Sequence, residues 1–123
     1  MEDKEITIFG EGKMVRAFSF VEDVVDVLVH SLEDKFEDQT MNLGASYEST
    51  IQELLEKIEK VSGKKAKVKL LPARPQEIMT FIARRGILTR LYDYKETPLE
   101  IGLKKTWDSI NLPDIIKEEN EIV

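Results

Sequence analysis

The hydrophobic and polar positions of this chain fall into short segments, each long enough to name an element. Ile6, Thr7, Ile8 and Phe9 form a β-rich run ended by Gly10 and Gly12, which predicts a strand and then a turn. Val21, Val24, Val25, Leu28 and Leu32 recur at helical spacing, with Val27 and Val29 widening the stripe. Ser19 and Glu22 have the spacing of a capping box, so this helix should start near residue 20 and end among the charges of residues 33–38. Thr40 to Gly44 reads as a second short strand. Ser49 and Gln52 form another capping box, followed by a helix face of Ile51, Leu54, Leu55, Ile58 and Val61. The pairs Glu53 with Lys57 and Glu56 with Lys60 support that helix, and Gly63 is placed to end it.

Ala66, Val68 and Leu70 alternate with Lys67 and Lys69, the pattern of a half-buried third strand. Pro72 and Pro75 bound a turn that contains Arg74. Residues 76–92 fit either a helix weakened by Gly86 or an extended piece followed by a short helix. Thr97 as N-cap, Pro98 at N1 and Glu100 at N3 announce a last clear helix, faced by Leu99, Leu103, Trp107 and Ile110 and broken by Pro113. Residues 114–123 read as a short helix or a frayed end. The order β-α-β-α-β followed by helices predicts an α/β fold. Its architecture is a small sheet of about three short strands, with three to five helices packed on it in a single domain over residues 1–123.

Composition narrows the function classes. The chain has 123 residues, 41% hydrophobic and 34% charged, which is the balance of one globular domain. No apolar run approaches the roughly 20 residues of a membrane span. The acidic start, Met1 to Glu5, is not a secretory signal, so a cytoplasmic location is expected. The absence of cysteine excludes disulfides and thiolate metal sites. A net charge of −6 argues against nucleic acid as a partner. An anionic ligand would need local positive charge, and arginine is confined to Arg16, Arg74, Arg84, Arg85 and Arg90.

Familiar catalytic patterns are missing. The turn at Gly10 and Gly12 lacks the third glycine of a dinucleotide fingerprint, and no Tyr-x-x-x-Lys pair, Walker motif, nucleophile motif or metal-ligand cluster is present. His30, the only histidine, is expected on a helix face near a C-terminus. Asp23 and Asp26 are expected to be solvated or to serve as caps. Phe18, Phe20 and Trp107 are expected in the core.

Five phrases, in order over about residues 5–110, resemble the C-terminal part of one family. They are Ile8-Phe9-Gly10-Glu11-Gly12 with Arg16, Phe18, Phe20, Val21, Asp23 and Val25; Asn42-Leu43-Gly44; Ser49 with Gln52 and Leu54; Arg74-Pro75-Gln76-Glu77; and Thr97-Pro98-Leu99 with Gly102 and Leu103. The family is that of the extended short-chain dehydrogenase/reductase enzymes, the NAD-dependent epimerases, dehydratases and decarboxylases of nucleotide sugars. The chain departs from the family pattern at Ala17, at Gln76 (glycine in the R-P-G-[DE] turn), at residues 83–87 and at Tyr92 to Lys95.

The resemblance implies that a Rossmann domain carrying NAD and the Tyr/Lys pair belongs before this region, so this chain is expected to bind no cofactor alone and to have no catalytic residue or metal. It further implies that Arg16 and Arg74 contact the diphosphate or ribose of a UDP- or dTDP-sugar. By the same resemblance Glu77 accepts from a ribose hydroxyl, and Asn42 donates to a phosphate oxygen. Arginine suits a diphosphate because its planar fork gives paired, charge-assisted donors. For each of the four, a plain surface or salt-bridge role competes. Two functions follow. One is a nucleotide-sugar-binding lobe completed by a separate Rossmann chain. The other is a self-associating interaction or regulatory module derived from that lobe, a homo-oligomer in which an apolar patch is covered; a truncated fragment without activity is a third case.

Overall fold

The computed structural model describes residues 4–110; the expected helix break at Pro113 and the tail at 114–123 lie outside the described residues. Among these residues five short strands and four α-helices follow in the order β1 (Ile6–Ile8), β2 (Val15–Ala17), α1 (Val21–His30), β3 (Glu48–Thr50), α2 (Ile51–Ser62), β4 (Val68–Leu70), β5 (Thr80–Phe81), α3 (Leu88–Leu91) and α4 (Leu99–Ile110). The α/β class stands, but the strands divide into two small sheets rather than one. β1 pairs with β4 in parallel, and β2 is the middle of a three-stranded sheet in the order β3-β2-β5. In that sheet β2 runs antiparallel to β3 and parallel to β5.

The two sheets make the layout that matters below. Pairing of Ile6 with Val68 and of Ile8 with Leu70 carries the chain after β4 alongside Phe9 and the glycine turn. Pairing of Arg16 with Phe81 sets β2 beside the chain leading into β5. Segment 71–81 therefore passes both ends of the Gly10 to Arg16 stretch.

Local chemistry explains where several elements start. Ser49 is committed to β3, opposite Arg16, and is buried, so it is not the cap of α2. The helix begins one residue later. Thr50 accepts from the Glu53 backbone N–H at 3.0 Å, and the Thr50 N–H donates back to the Glu53 carboxylate at 2.7 Å, a reciprocal capping box. Gly63 ends α2 at φ 68°, a left-handed conformation that glycine adopts without a Cβ clash. The expected box at Ser19 is not made either: Phe20 is the N-cap of α1 and no side chain caps it. Thr40 to Gly44 forms no strand. The Asn42 side-chain amide donates to the Arg84 carbonyl at 3.1 Å, and Gly44 lies so close to Ala83 that an added Cβ would sit 3.2 Å from the Ala83 Cβ. A side-chain bond and close packing thus replace a ladder. Residues 76–92 take the second of the two predicted forms, an extended piece (β5) and then the single turn of α3.

The core is small. Val27, Phe36 and Leu88 form its buried cluster, with Met41, Leu43, Leu91, Tyr92 and Tyr94 packed against it. Full burial of one such side chain is worth roughly 1.5–3 kcal/mol, so each carries a sizeable share of the stability. Leu54 and Ile58 of α2 share a cleft with Phe18, Phe20 and with Leu99 and Leu103 of α4. Phe18 and Phe20 are half-buried at these contacts rather than enclosed, and Trp107 is half-buried in a separate cleft with Leu55 and Ile58.

Two of the recurring phrases meet in one junction. The Asp23 carboxylate accepts from the Thr97 N–H at 2.7 Å and from its hydroxyl at 2.6 Å, tying α1 to the entry of α4. Gly102 lies against the Phe20 ring, where a Cβ would stand 3.1 Å from a ring carbon. Lys105 adds a bond to Glu22 at 2.6 Å and lies over the Phe20 ring. Asp23, Thr97 and Gly102 are therefore architectural. Thr97 is held by Asp23, and the Pro98 carbonyl is the one that accepts from Ile101 and Gly102 at the helix start.

Candidate nucleotide-sugar site

Arg16 lies on the central strand β2 and is half-buried. Its guanidinium is held by carbonyls: it donates to Val15 at 2.7 Å, to Ile78 at 2.8 Å and to Met79 at 3.3 Å. The Val15 N–H also donates to the Met79 carbonyl at 2.7 Å. Two of those carbonyls belong to the residues that immediately follow Glu77.

Arg74 starts a tight turn. The Glu77 N–H donates to the Arg74 carbonyl at 3.2 Å, Pro75 occupies the second position, and Gln76 the third at φ 64°. Proline followed by a positive φ is the type II turn, whose third position suits glycine. This accounts for the glycine of the R-P-G-[DE] pattern and shows that Gln76 occupies the same conformation at a steric cost. The Glu77 side chain folds back over the turn, accepting from the Arg74 N–H at 3.0 Å and from the Arg74 guanidinium at 3.0 Å. The guanidinium also stacks on the Phe9 ring, 4.6 Å from its centre.

The electrostatics follow. Hydrogen bonds from the Arg74 side chain and backbone hold the Glu77 carboxyl below the usual carboxylate range, and the charge of Arg16 adds to this. Glu77 in turn raises the Arg74 guanidinium above its ordinary value. Residues 74–79 thus form one clamp: at one end they fix Arg74, at the other they fix Arg16, and Glu77 senses both. Ile78, Met79 and Phe81 expose apolar surface beside it.

The structure brings three of the four expected residues together and leaves out the fourth. Asn42 bonds to the Arg84 carbonyl and lines a separate cleft with Thr40, Met41, Arg84, Gly86, Ile87 and Arg90. Sequence reasoning missed Phe9, which it assigned to the first strand as an ordinary apolar residue. Its ring is the seat of Arg74, and the only signal was an aromatic placed directly before the glycine turn. The carbonyls of Ile78 and Met79 carry no side-chain signal at all.

The glycine turn does not suit a dinucleotide. A Cβ at Gly10 would stand 3.3 Å from the Met14 side chain, and one at Gly12 would stand 3.1 Å from the Gln52 Cβ. Both glycines are filled against protein, leaving no backbone cradle for the NAD diphosphate. Among the described residues no group of acids and histidines has metal-ligand geometry. No helix among them is long and apolar enough to cross a membrane.

The fold is a small α/β lobe in which residues 74–79 bond to both Arg16 and Arg74, and comparison with known proteins places it. A family model described as the NAD dependent epimerase/dehydratase family matches residues 1–44. The UDP-glucuronate 4-epimerase of Thermodesulfobacterium geofontis is 30% identical over 120 residues, covering 94% of this chain and 36% of that protein. The UDP-glucuronic acid decarboxylase 1 of Danio rerio is 32% identical over 109 residues, covering 86% of this chain and 25% of that protein. Among solved structures, the UDP-glucuronic acid 4-epimerase of Bacillus cereus, crystallised with UDP-glucuronic acid and NAD, superposes with a TM-score of 0.77 at 32% identity. That match covers 88% of this chain and 35% of that one. The chain is homologous to the C-terminal region of the NAD-dependent nucleotide-sugar epimerases and dehydratases, the extended short-chain dehydrogenase/reductase family. It spans about a third of the length of the curated relatives it matches.

Proposed function

We propose that this chain is a nucleotide-sugar-binding lobe, taking the diphosphate of a UDP- or dTDP-sugar between Arg16 and Arg74. The observation that carries the reading is the clamp: one segment, residues 74–79, bonds to both arginines. Two guanidinium groups fixed by the same short turn form a preorganised pair of donors, and little side-chain entropy is lost when an anion docks. Glu77 sets the orientation of Arg74 and is the acceptor nearest to hand for a ribose hydroxyl. The exposed Ile78, Met79 and Phe81 offer an apolar surface for the uncharged part of the ligand. Asn42 has no part in this site.

The residues of this chain bind and orient; they do not supply a redox step. NAD, where the family fold provides it, contributes hydride transfer, and a cofactor domain on the same or another polypeptide would complete the enzyme. The chain by itself is expected to show no epimerase, dehydratase or decarboxylase turnover.

Isothermal titration with UDP, dTDP and UDP-glucuronic acid tests the reading. Weak binding is expected, at roughly millimolar to high micromolar Kd because part of the site is contributed elsewhere. Arg74→Ala and Arg16→Ala should each weaken it at least tenfold, the value of about 1.4 kcal/mol expected for a charge-assisted contact. No heat with any of the three ligands, or binding unchanged by both substitutions, would overturn the proposal.

A further inference from the structure

At the starting end of β1 and β4, opposite the end that leads to Phe9 and Arg74, a cleft of about 460 Å³ opens between this sheet and helices α2 and α4. Its walls are apolar: Ile6 of β1, Leu55 and Ile58 of α2, and Trp107 of α4. Lys4, Lys64, Lys65 and Lys67 line it as well. The one carboxylate among its lining residues is that of Glu59, which Lys65 already engages at 2.6 Å. Lys64 stands over the Trp107 ring, 5.7 Å from its centre. Apolar walls with a basic lining fit an acidic, amphipathic stretch of polypeptide. The volume lies in the range of roughly 300–1,000 Å³ that seats several side chains at once.

We propose that the occupant is residues 112–123 of this same chain. Leu112, Ile115, Ile116, Ile122 and Val123 supply the apolar side chains. Asp114, Glu118, Glu119 and Glu121 set four carboxylates against the one ammonium of Lys117, so the segment carries the charge opposite to that of the cleft. Helix α4 delivers it to the place. Trp107 and Ile110, the last residue of α4, are three positions apart, so the chain leaves the helix within about 5 Å, along the axis, of the cleft. Pro113 is placed to end the helix and turn the chain. Residues 114–123 can then reach up to about 30 Å, enough to cross the cleft. The apolar side chains hold the segment, and the charges fix its orientation. A connection this short keeps the segment at an effective concentration of roughly millimolar, so it outcompetes the same segment of a second copy in a micromolar solution.

Trp107 is the single tryptophan of the chain, so its fluorescence reports on what covers the cleft. The test uses the full 123-residue chain with no nucleotide sugar present. Ile115→Asp with Ile116→Asp should raise the acrylamide quenching of Trp107 at least twofold. Glu118→Lys with Glu119→Lys should do the same at low salt, where charges are least screened. Adding Lys4→Glu and Lys67→Glu to that second variant should reverse more than half of the increase, which general loosening of the fold would not do. Lys69→Glu, on β4 outside the cleft, should leave the quenching unchanged. Unchanged quenching in both tail variants, which would leave the cleft to a separate acidic polypeptide, would overturn the proposal. So would the absence of rescue by the reversed lysines, or wild-type quenching that rises on dilution as a second copy departs.

Discussion

Helices α1 and α2 carry the same kind of message in the sequence and are used in opposite ways. Each has valines, leucines or isoleucines at helical spacing and charges on the other side. In α2 the apolar side turns inward: Leu54, Leu55 and Val61 are half-buried, and Lys57 reaches across to Glu100 of α4 at 2.9 Å. In α1 the inward side is the mixed one, built from Val27 and two polar anchors: Asp23 bonds to Thr97, and Asp26 accepts from the Tyr92 hydroxyl. The difference teaches that periodicity identifies an apolar face and says nothing about which body covers it. Helix α2 is completed by its own lobe. Helix α1 is held by specific bonds on one side and left open on the other, where Val21, Val25, Leu28 and Val29 are exposed.

That contrast can be broken or sharpened by substitution. The largest effect is expected on the inner side of α1. Val27→Ala should cost about 2 kcal/mol, since the site is enclosed by Phe36 and Leu88. A loss under about 0.5 kcal/mol in urea denaturation would mean that α1 is not anchored there. Asp23→Ala comes next, at roughly 1–3 kcal/mol, because it leaves the Thr97 N–H and hydroxyl without their acceptor. Thr50→Ala removes the reciprocal cap of α2 and should cost about 1 kcal/mol, while Ser19→Ala, before the uncapped α1, should stay within about 0.5 kcal/mol. Equal costs for the two would undo the distinction between the helix starts. Leu28→Ser, on the open side of α1, should change the stability of the isolated chain by no more than about 0.5 kcal/mol. The smallest effect is spectroscopic. The bond from Tyr92 to Asp26, with burial adding to it, raises the Tyr92 phenol to about 12. A raised pKa stabilises the folded state below the ordinary value near 10, and that contribution fades as pH climbs through the folded value. Ultraviolet titration should therefore show a late-ionising tyrosine that Tyr92→Phe lacks.

Much of the fold was legible because local rules decide it. Gly63 had to end a helix, the alternation around Val68 marks a strand, although Leu70 at its end stays exposed, and Thr97 with Pro98 marks the entry to α4. What escaped depended on partners distant in the chain. Arg16 and Ser49 face each other across an antiparallel pair that no local pattern announces, and that pairing moves the start of α2 to Thr50. Arg16, Arg74 and Glu77 were legible as members of ordered phrases, and the turn explains one departure: Gln76 keeps the backbone of the glycine it replaces. Phe9 and the carbonyls of residues 78–79 were not legible, because a stacking surface and a backbone acceptor leave little trace in residue type. Asn42 matched its phrase, and its side chain bonds to the Arg84 carbonyl, away from the two arginines of the clamp.

The bond between Asp23 and Thr97 spans 74 positions, and apart from Phe36 the partners of α1 named above, Leu88, Tyr92 and Lys105, are also late in the chain. On the ribosome, α1 emerges before most of its anchors and waits for them. At about 5–20 residues per second, that wait lasts several seconds, during which both flanks of an apolar helix face water or a chaperone. Birth of this lobe is thus governed from its far end: a ribosome stalled before residue 97 leaves α1 without its tether, and its valines and leucines exposed as a seed for aggregation.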